Sequence, residues 1–198
     1  MGLRNLEKAS ALTTTPITVH WEPFLLNGNT PEEGEDLEEH ISKKYGPAMA
    51  ARFSSPDNPL TQAGRKVGIN FNPARRVIST LRCHVVVDHV NKEFGIDKGN
   101  ELMKVLFRCY FEEAKDVNNK AILLDCVAEV LGVACKVAFA PLLDDETLAS
   151  QVRAKDHLVK TRMRVSGVPY FIIGANALSG AQPPEVIAEA IEHVKTTN

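Results

Sequence analysis

Val165-Ser166-Gly167-Val168-Pro169-Tyr170-Phe171-Ile172-Ile173-Gly174 decides the reading of this chain, together with Ala177-Leu178-Ser179-Gly180-Ala181-Gln182-Pro183-Pro184-Glu185 just after it. A Val-Pro step enters a short apolar run, the form of a buried strand. Ala175-Asn176 can turn the chain into a second strand, and Pro183 then opens a last helix. The C-terminal end therefore reads strand, strand, helix.

Upstream of this end, Leu3, Leu6, Ala9 and Leu12 recur at helical spacing and Thr13-Thr14-Thr15-Pro16 breaks the pattern. Ile17-Thr18-Val19-His20-Trp21 alternates in the strand manner, with Pro23 marking its end or an edge. Asn27 to Gly34 is a polar loop, and from there to about Arg164 the signals are helical. Leu37, Ile41 and Tyr45 share a face that Gly46-Pro47 stops, and Pro59 to Gly68 holds a short helix. Ser79-Thr80 can cap a longer one through Leu81, Val85, Val90 and Phe94, closed by Gly95. Leu102, Val105, Leu106 and Cys109 mark the next, and Ile122, Cys126 and Val130 another, stopped by Gly132. Asp144-Asp145 opens a final long helix through Leu148, Val152 and Val159.

The chain has 198 residues, 44% of them hydrophobic, enough for a well-buried core. A formal net charge of -2, with both signs interspersed, gives no basis for a nucleic-acid or anionic-membrane surface, and neither partner is expected. The start, Met1 to Leu12, has no signal-peptide core, so the expected location is cytoplasmic. Cys83, Cys109, Cys126 and Cys135 include no pair at the spacing of a zinc knuckle or a redox dithiol. Three of them fall in helical apolar patterns, where a free cysteine acts as a small hydrophobe in a reducing compartment.

Several motifs, in order, resemble the DsbA-like thiol-disulfide oxidoreductases, in particular the FrnE-type branch. They are Gly2 to Ala9, Trp21-Glu22-Pro23-Phe24-Leu25-Leu26-Asn27, Ser79-Thr80-Leu81-Arg82-Cys83-His84, Leu106-Phe107-Arg108-Cys109-Tyr110-Phe111-Glu112-Glu113, and the tail from Ser179 to Glu185. The resemblance implies an α/β, thioredoxin-like fold with a large all-helical insertion. The discontinuous thioredoxin-like domain would take residues 1–27 and 165–198, and the insertion 28–164. It further implies protein disulfide oxidoreductase or isomerase chemistry on protein or peptide thiols and disulfides. No cofactor is implied, with glutathione as a conceivable co-substrate.

In that family a Cys-Pro-x-Cys motif precedes the first helix, where the helix N-terminus lowers the thiol pKa and supplies the attacking thiolate. Here the aligned helix begins at Gly2, so the motif and the first strand would lie before Met1. No catalytic residue is therefore assigned within the chain, and whether it is an enzyme as written stays open. The resemblance makes Pro169 a cis-proline and assigns substrate binding to Ser166, Gly167, Val168 and Pro169, with Phe24 nearby. The Val168 backbone would pair with an extended peptide like an added strand. Two alternatives remain. One is a glutathione-dependent isomerase or transferase of the kappa or 2-hydroxychromene-2-carboxylate isomerase type. The other is a redox-dead peptide-binding relative.

Other residues read more simply. His84 beside Cys83 on a helix points to a different face, so the two do not make a nucleophile–base pair. The acidic runs at 32–36 and 144–146 sit at helix starts, where carboxylates favour the dipole without any metal.

Overall fold

The computed structural model describes residues 1–55 and 57–197, the last three by their backbone only. Ten α-helices and one hairpin make up its regular elements: α1 (Gly2–Leu12), α2 (Leu37–Tyr45), α3 (Pro47–Ser54), α4 (Pro59–Lys66), α5 (Leu81–Phe94), α6 (Ile96–Phe107), α7 (Lys120–Leu131), α8 (Cys135–Phe139), α9 (Glu146–Thr161), β1 (Tyr170–Ile173), β2 (Asn176–Ser179) and α10 (Pro184–Thr197). A π-helical turn, Arg108–Glu112, follows α6, and a 3₁₀ turn, Ala140–Asp144, follows α8. Among the described residues no helix is long and apolar enough to cross a membrane.

The sequence explains most of these boundaries. Asp36, Asn119 and Asp145 cap α2, α7 and α9 by accepting from backbone N–H groups in the first turn. The acidic runs thus serve as caps and ion pairs: Glu32 and Asp144 both pair with Arg82, and Asp144 also with Lys120. Thr80 precedes α5 without a side-chain cap bond; the Ser79 hydroxyl instead accepts from Leu81 N at 3.5 Å. Gly46-Pro47 was expected to stop a helix, and it also starts one. Proline at the first position of α3 gives up an N–H that has no helical partner anyway.

Two apolar clusters organise the molecule. The larger joins α5, α6, α7, α8 and their turns around Val86, Val90, Leu102, Leu123, Val127 and Phe139. The smaller is built from Ala9 of α1 and Ile187, Ala188 and Ile191 of α10, with Leu6, Ile17, Phe171, Ile173 and Leu178 against it. The hairpin pairs Tyr170 with Ser179 through to Ile173 with Asn176, so the reversal falls at Gly174-Ala175, one residue earlier than expected. Gly174 has φ +59, and a Cβ there would stand 2.6 Å from Val194 Cγ2 of α10, so both the turn and the packing select glycine.

The expected strand at Ile17–Trp21 is absent: β1 and β2 pair only with each other, and residues 17–21 join no ladder among the described residues. Its alternation nevertheless survives as alternating burial, with Ile17, Val19 and Trp21 turned inward. Side chains from helices take the place of ladder bonds. Asn100 donates to Val19 O at 3.2 Å and accepts from Trp21 Nε1 at 2.7 Å. Farther on, Asp156 accepts from Leu25 N at 2.8 Å, while Lys160 donates to Leu25 O at 2.5 Å and pairs with Asp156 at 2.8 Å. Asp156 is one of the few buried charged residues, at 8% exposure.

Asp156→Ala should therefore lower stability by about 2–3 kcal/mol, because a buried N–H loses a charged acceptor. Asp156→Asn, which retains an acceptor oxygen, should lose less. Urea midpoints of the two variants check this, and an alanine variant matching the parent would show that Leu25 N is satisfied otherwise.

Candidate functional site

Three segments distant in sequence converge at the N-terminus of α1. The first is α1 itself, which the Leu3, Leu6 and Ala9 spacing turns toward α10. The second is the loop 166–169 that leads into β1, and the third is the 179–184 tail that leads into α10.

Gly2 is buried, and a Cβ on it would fall 2.8 Å from both Cβ and Cγ of Pro169 and 3.3 Å from Phe171 Cζ. The first turn of α1 thus lies directly against Pro169, an approach only glycine permits. The Val168–Pro169 peptide is cis. Pro169 O accepts from Gly180 N at 2.9 Å, and Gly180 has φ +81. Asn5, buried on α1, donates to Gln182 O at 2.8 Å. Gln182 in turn donates through its side chain to Ser179 O at 2.5 Å. The Ser-Gly-Ala-Gln-Pro tail is therefore a clasp that holds α1 to the proline loop.

Within this loop Ser166 is exposed, Val168 is 51% exposed, and Val165 is buried as its anchor. Among the described residues no hydrogen bond engages the Val168 N–H or C=O. An exposed, unpaired backbone step beside a helix N-terminus can accept one strand of extended peptide. Ile172, 55% exposed on β1, extends the apolar surface next to it.

The electrostatics favour an anionic group at the same place. The first N–H groups of α1 point outward with the positive end of the helix dipole. Partial burial lowers the pKa of the Met1 amine, with Arg4 adding to the effect. Burial opposes ionisation of Glu7, yet hydrogen bonds and charge from Lys104 and Arg4 outweigh it and hold its carboxyl below the usual range. The Glu7–Lys104 pair, at 2.8 Å, ties α1 to α6.

Of the five residues assigned to substrate binding, Ser166, Gly167, Val168 and Pro169 form the loop just described. The Phe24 ring lies under Lys160 Nζ at 4.8 Å, within the Asp156–Lys160 anchor. His84 belongs to the same anchor, its imidazole pulled below its ordinary pKa by burial and partly offset by the Phe24 backbone and Asp156. Sequence reasoning missed Gly2 and Asn5 as parts of the site. The close approach of helix to loop gives glycine at position 2 its meaning, and no local pattern records that approach.

None of the four thiols lies at this site. Cys83, Cys109 and Cys126 are buried and reduced, and Cys135 is partly buried. Burial pushes Cys83 up to about 12, with Asp116 adding to it, and burial with the neighbouring Cys109 does the same for Cys126. Cys109 is also raised, mainly by burial. Such thiols are poor nucleophiles at neutral pH.

A family model described as DSBA-like thioredoxin domain matches residues 1–192. Among solved structures, a probable DsbA oxidoreductase from Streptomyces coelicolor superposes with a TM-score of 0.82 at 24% identity, over 100% of this chain and 84% of that one. At that identity the match speaks for the fold. No curated protein sequence matches the chain.

Proposed function

This chain belongs to the DSBA-like thioredoxin domain family, and from that membership we propose that it serves thiol–disulfide exchange on protein or peptide substrates. Its contribution is the substrate-docking half of the site. The observation that carries this reading is the contact of Gly2 with Pro169, which sets a helix N-terminus beside the unpaired Val168 backbone. An extended segment bound to Val168 would present its cysteine to whatever group occupies the start of α1. The dipole there would stabilise a thiolate in that position. Residues 166–169 do the binding in this scheme, Pro169 as the family's cis-proline. Glutathione, which is itself a short peptide, fits the same backbone step as a co-substrate.

Peptide binding tests the reading without any redox chemistry. Titration with reduced, alkylated insulin B chain should move the amide resonances of Gly167 and Val168 more than those of the helical segment. In Gly2→Val the added branches would meet Pro169 and Phe171, push α1 off the loop and weaken binding roughly fivefold, about 1 kcal/mol. A peptide that shifts other amides while 167 and 168 stay still would move the site elsewhere.

A further inference from the structure

Cys109 and Cys126 are 17 residues apart in sequence, and their sulfurs meet at 3.6 Å in the interior. Cys109 lies in the π-helical turn after α6, and Cys126 lies on α7. Such turns insert an extra residue into a helix and concentrate at functional positions. Just past this turn Ala114 takes a left-handed conformation, φ 53, that is uncommon for a residue with a Cβ. The other two thiols have partners of their own: Cys83 Sγ lies 3.5 Å from Val117 O, and Cys135 Sγ 3.5 Å from Leu131 O.

The pair opens on a cleft of about 80 Å³ lined by both cysteines with Lys115, Ile122, Asp125 and Glu129. On this measure one water needs about 10–15 Å³, so the cleft has room for a few waters or one small molecule. The charges at its mouth are already paired. Arg108 bonds Glu113 and Glu129, Lys115 bonds Glu113 at 2.6 Å, and Lys136 bonds Asp125. Size and charge together admit a small neutral reagent.

We propose that Cys109 and Cys126 are a dithiol–disulfide couple, closed by a small neutral hydroperoxide that enters this cleft. One thiolate attacks the terminal peroxide oxygen, forming an S–O bond and breaking the O–O bond; the alkoxide released, or hydroxide from hydrogen peroxide, takes up the proton the thiol gave up and leaves as alcohol or water. The second thiolate attacks that sulfenic sulfur, forming the S–S bond and expelling hydroxide, which takes up the proton that thiol gave up and leaves as water. With hydrogen peroxide the balance is two thiols and one peroxide to one disulfide and two waters. The first step is slow, since both thiols hold their protons above the ordinary range. Lys115 favours the thiolates, while Glu113 on the same segment and Cys83 on α5 oppose them. The second step is fast because the resolving thiol is already in place. The disulfide would tie the π turn to α7, away from the proline loop, so this inference stands independently of the function proposed above.

The test uses the reduced full chain with excess hydrogen peroxide, quenched and alkylated under denaturing conditions. Free thiols should fall from four to two and return to four with dithiothreitol. Trypsin cuts after Arg108 and Lys120, and a glutamate-specific protease after Glu129, so Cys109, Cys126 and Cys135 fall in separate peptides. The expected product joins the first two within one chain, at a rate that climbs steadily from about pH 7 to 9, as thiolate attack by a thiol of raised pKa requires. In Cys126→Ser the Cys109 sulfenic acid should persist and react with dimedone. A cross-link through Cys83 or Cys135, a cross-link between chains, a rate indifferent to pH, or four thiols surviving the treatment would each overturn the proposal. The mapping on the unmodified chain decides the matter even where a serine variant fails to fold.

Discussion

Carried behind a Cys-Pro-x-Cys segment that leads into Gly2, this chain should reduce insulin disulfides with dithiothreitol as donor, while the chain by itself stays at the uncatalysed rate. The reason is electrostatic and positional. A cysteine at the start of α1 would meet the free N–H groups and positive dipole end of that helix, which depress a thiol pKa into the range 3.5–7.5, on the order of one to five units. At pH 7 that raises the thiolate from about 3% to between about a quarter and nearly all, roughly an eight- to thirtyfold gain in attacking species, moderated by the lower nucleophilicity of the weaker base. The native thiols lack this help, since Cys83 and Cys126 are held near 12 inside the helical core. Three proteins decide the matter: the chain, its version with all four cysteines changed to serine, and the fusion. Turnover by the chain that vanishes in the serine version would place the active site among the buried cysteines. A fusion that binds peptide but does not turn over would favour a binding protein over an oxidoreductase.

The sequence made some features of the fold readable and concealed others, for reasons that lie in the kind of signal each one leaves. Leu3, Leu6 and Ala9 predicted α1 and its buried face because helical contacts repeat every three or four residues, and Ala9 is indeed fully buried. Gly95 and Gly132 marked helix ends because only a residue free to take positive φ ends those helices as they do, at φ 88 and 90. Ile17 to Trp21 shows the limit of the same reasoning. Alternation records which side chains turn inward, and it says nothing about whether a neighbouring strand supplies hydrogen bonds. Here those bonds come from Asn100, and beyond Pro23 from Asp156 and Lys160, all of them distant in sequence.

The site divides in the same way. The Val-Pro step and the Ser-Gly-Ala-Gln-Pro tail are local motifs and were visible. Gly2 against Pro169, and Cys109 against Cys126, are meetings of separate elements that no spacing rule encodes. Phe24 is harder to read, because an aromatic residue after a strand pattern suits a groove as well as a core, and the Lys160 cation over its ring lies more than a hundred residues away.

Phe139→Ala should be the most damaging single truncation in the helical core, at about 3–5 kcal/mol. Phe139 is the largest of the fully enclosed side chains, at 1% exposure. Its ring stands edge-on to His89 at 5.2 Å and 88°, with Phe94 at 6.0 Å, so it pins α8 to α5. The helix it belongs to has only five residues and leaves Val137 in solvent. A helix that short does not hold itself together in water, so its geometry depends on tertiary contacts, of which this buried ring is the largest. Truncation would remove the ring's transfer free energy, leave a cavity beside His89 and Phe94 in the helical core, and release the 3₁₀ turn that follows. Phe139→Leu, which refills much of the space, should recover more than half the loss. Urea unfolding gives both numbers, and amide exchange across 135–144 should accelerate in the alanine variant. Among the described residues the small cluster of α1, the hairpin and α10 shares no core residue with the cluster around Phe139, so peptide-induced shifts at Gly167 and Val168 should persist below the new midpoint. An alanine variant that loses less than about 1 kcal/mol would mean that the α5–α8 contact closes over the gap and that α8 is held by something other than this ring.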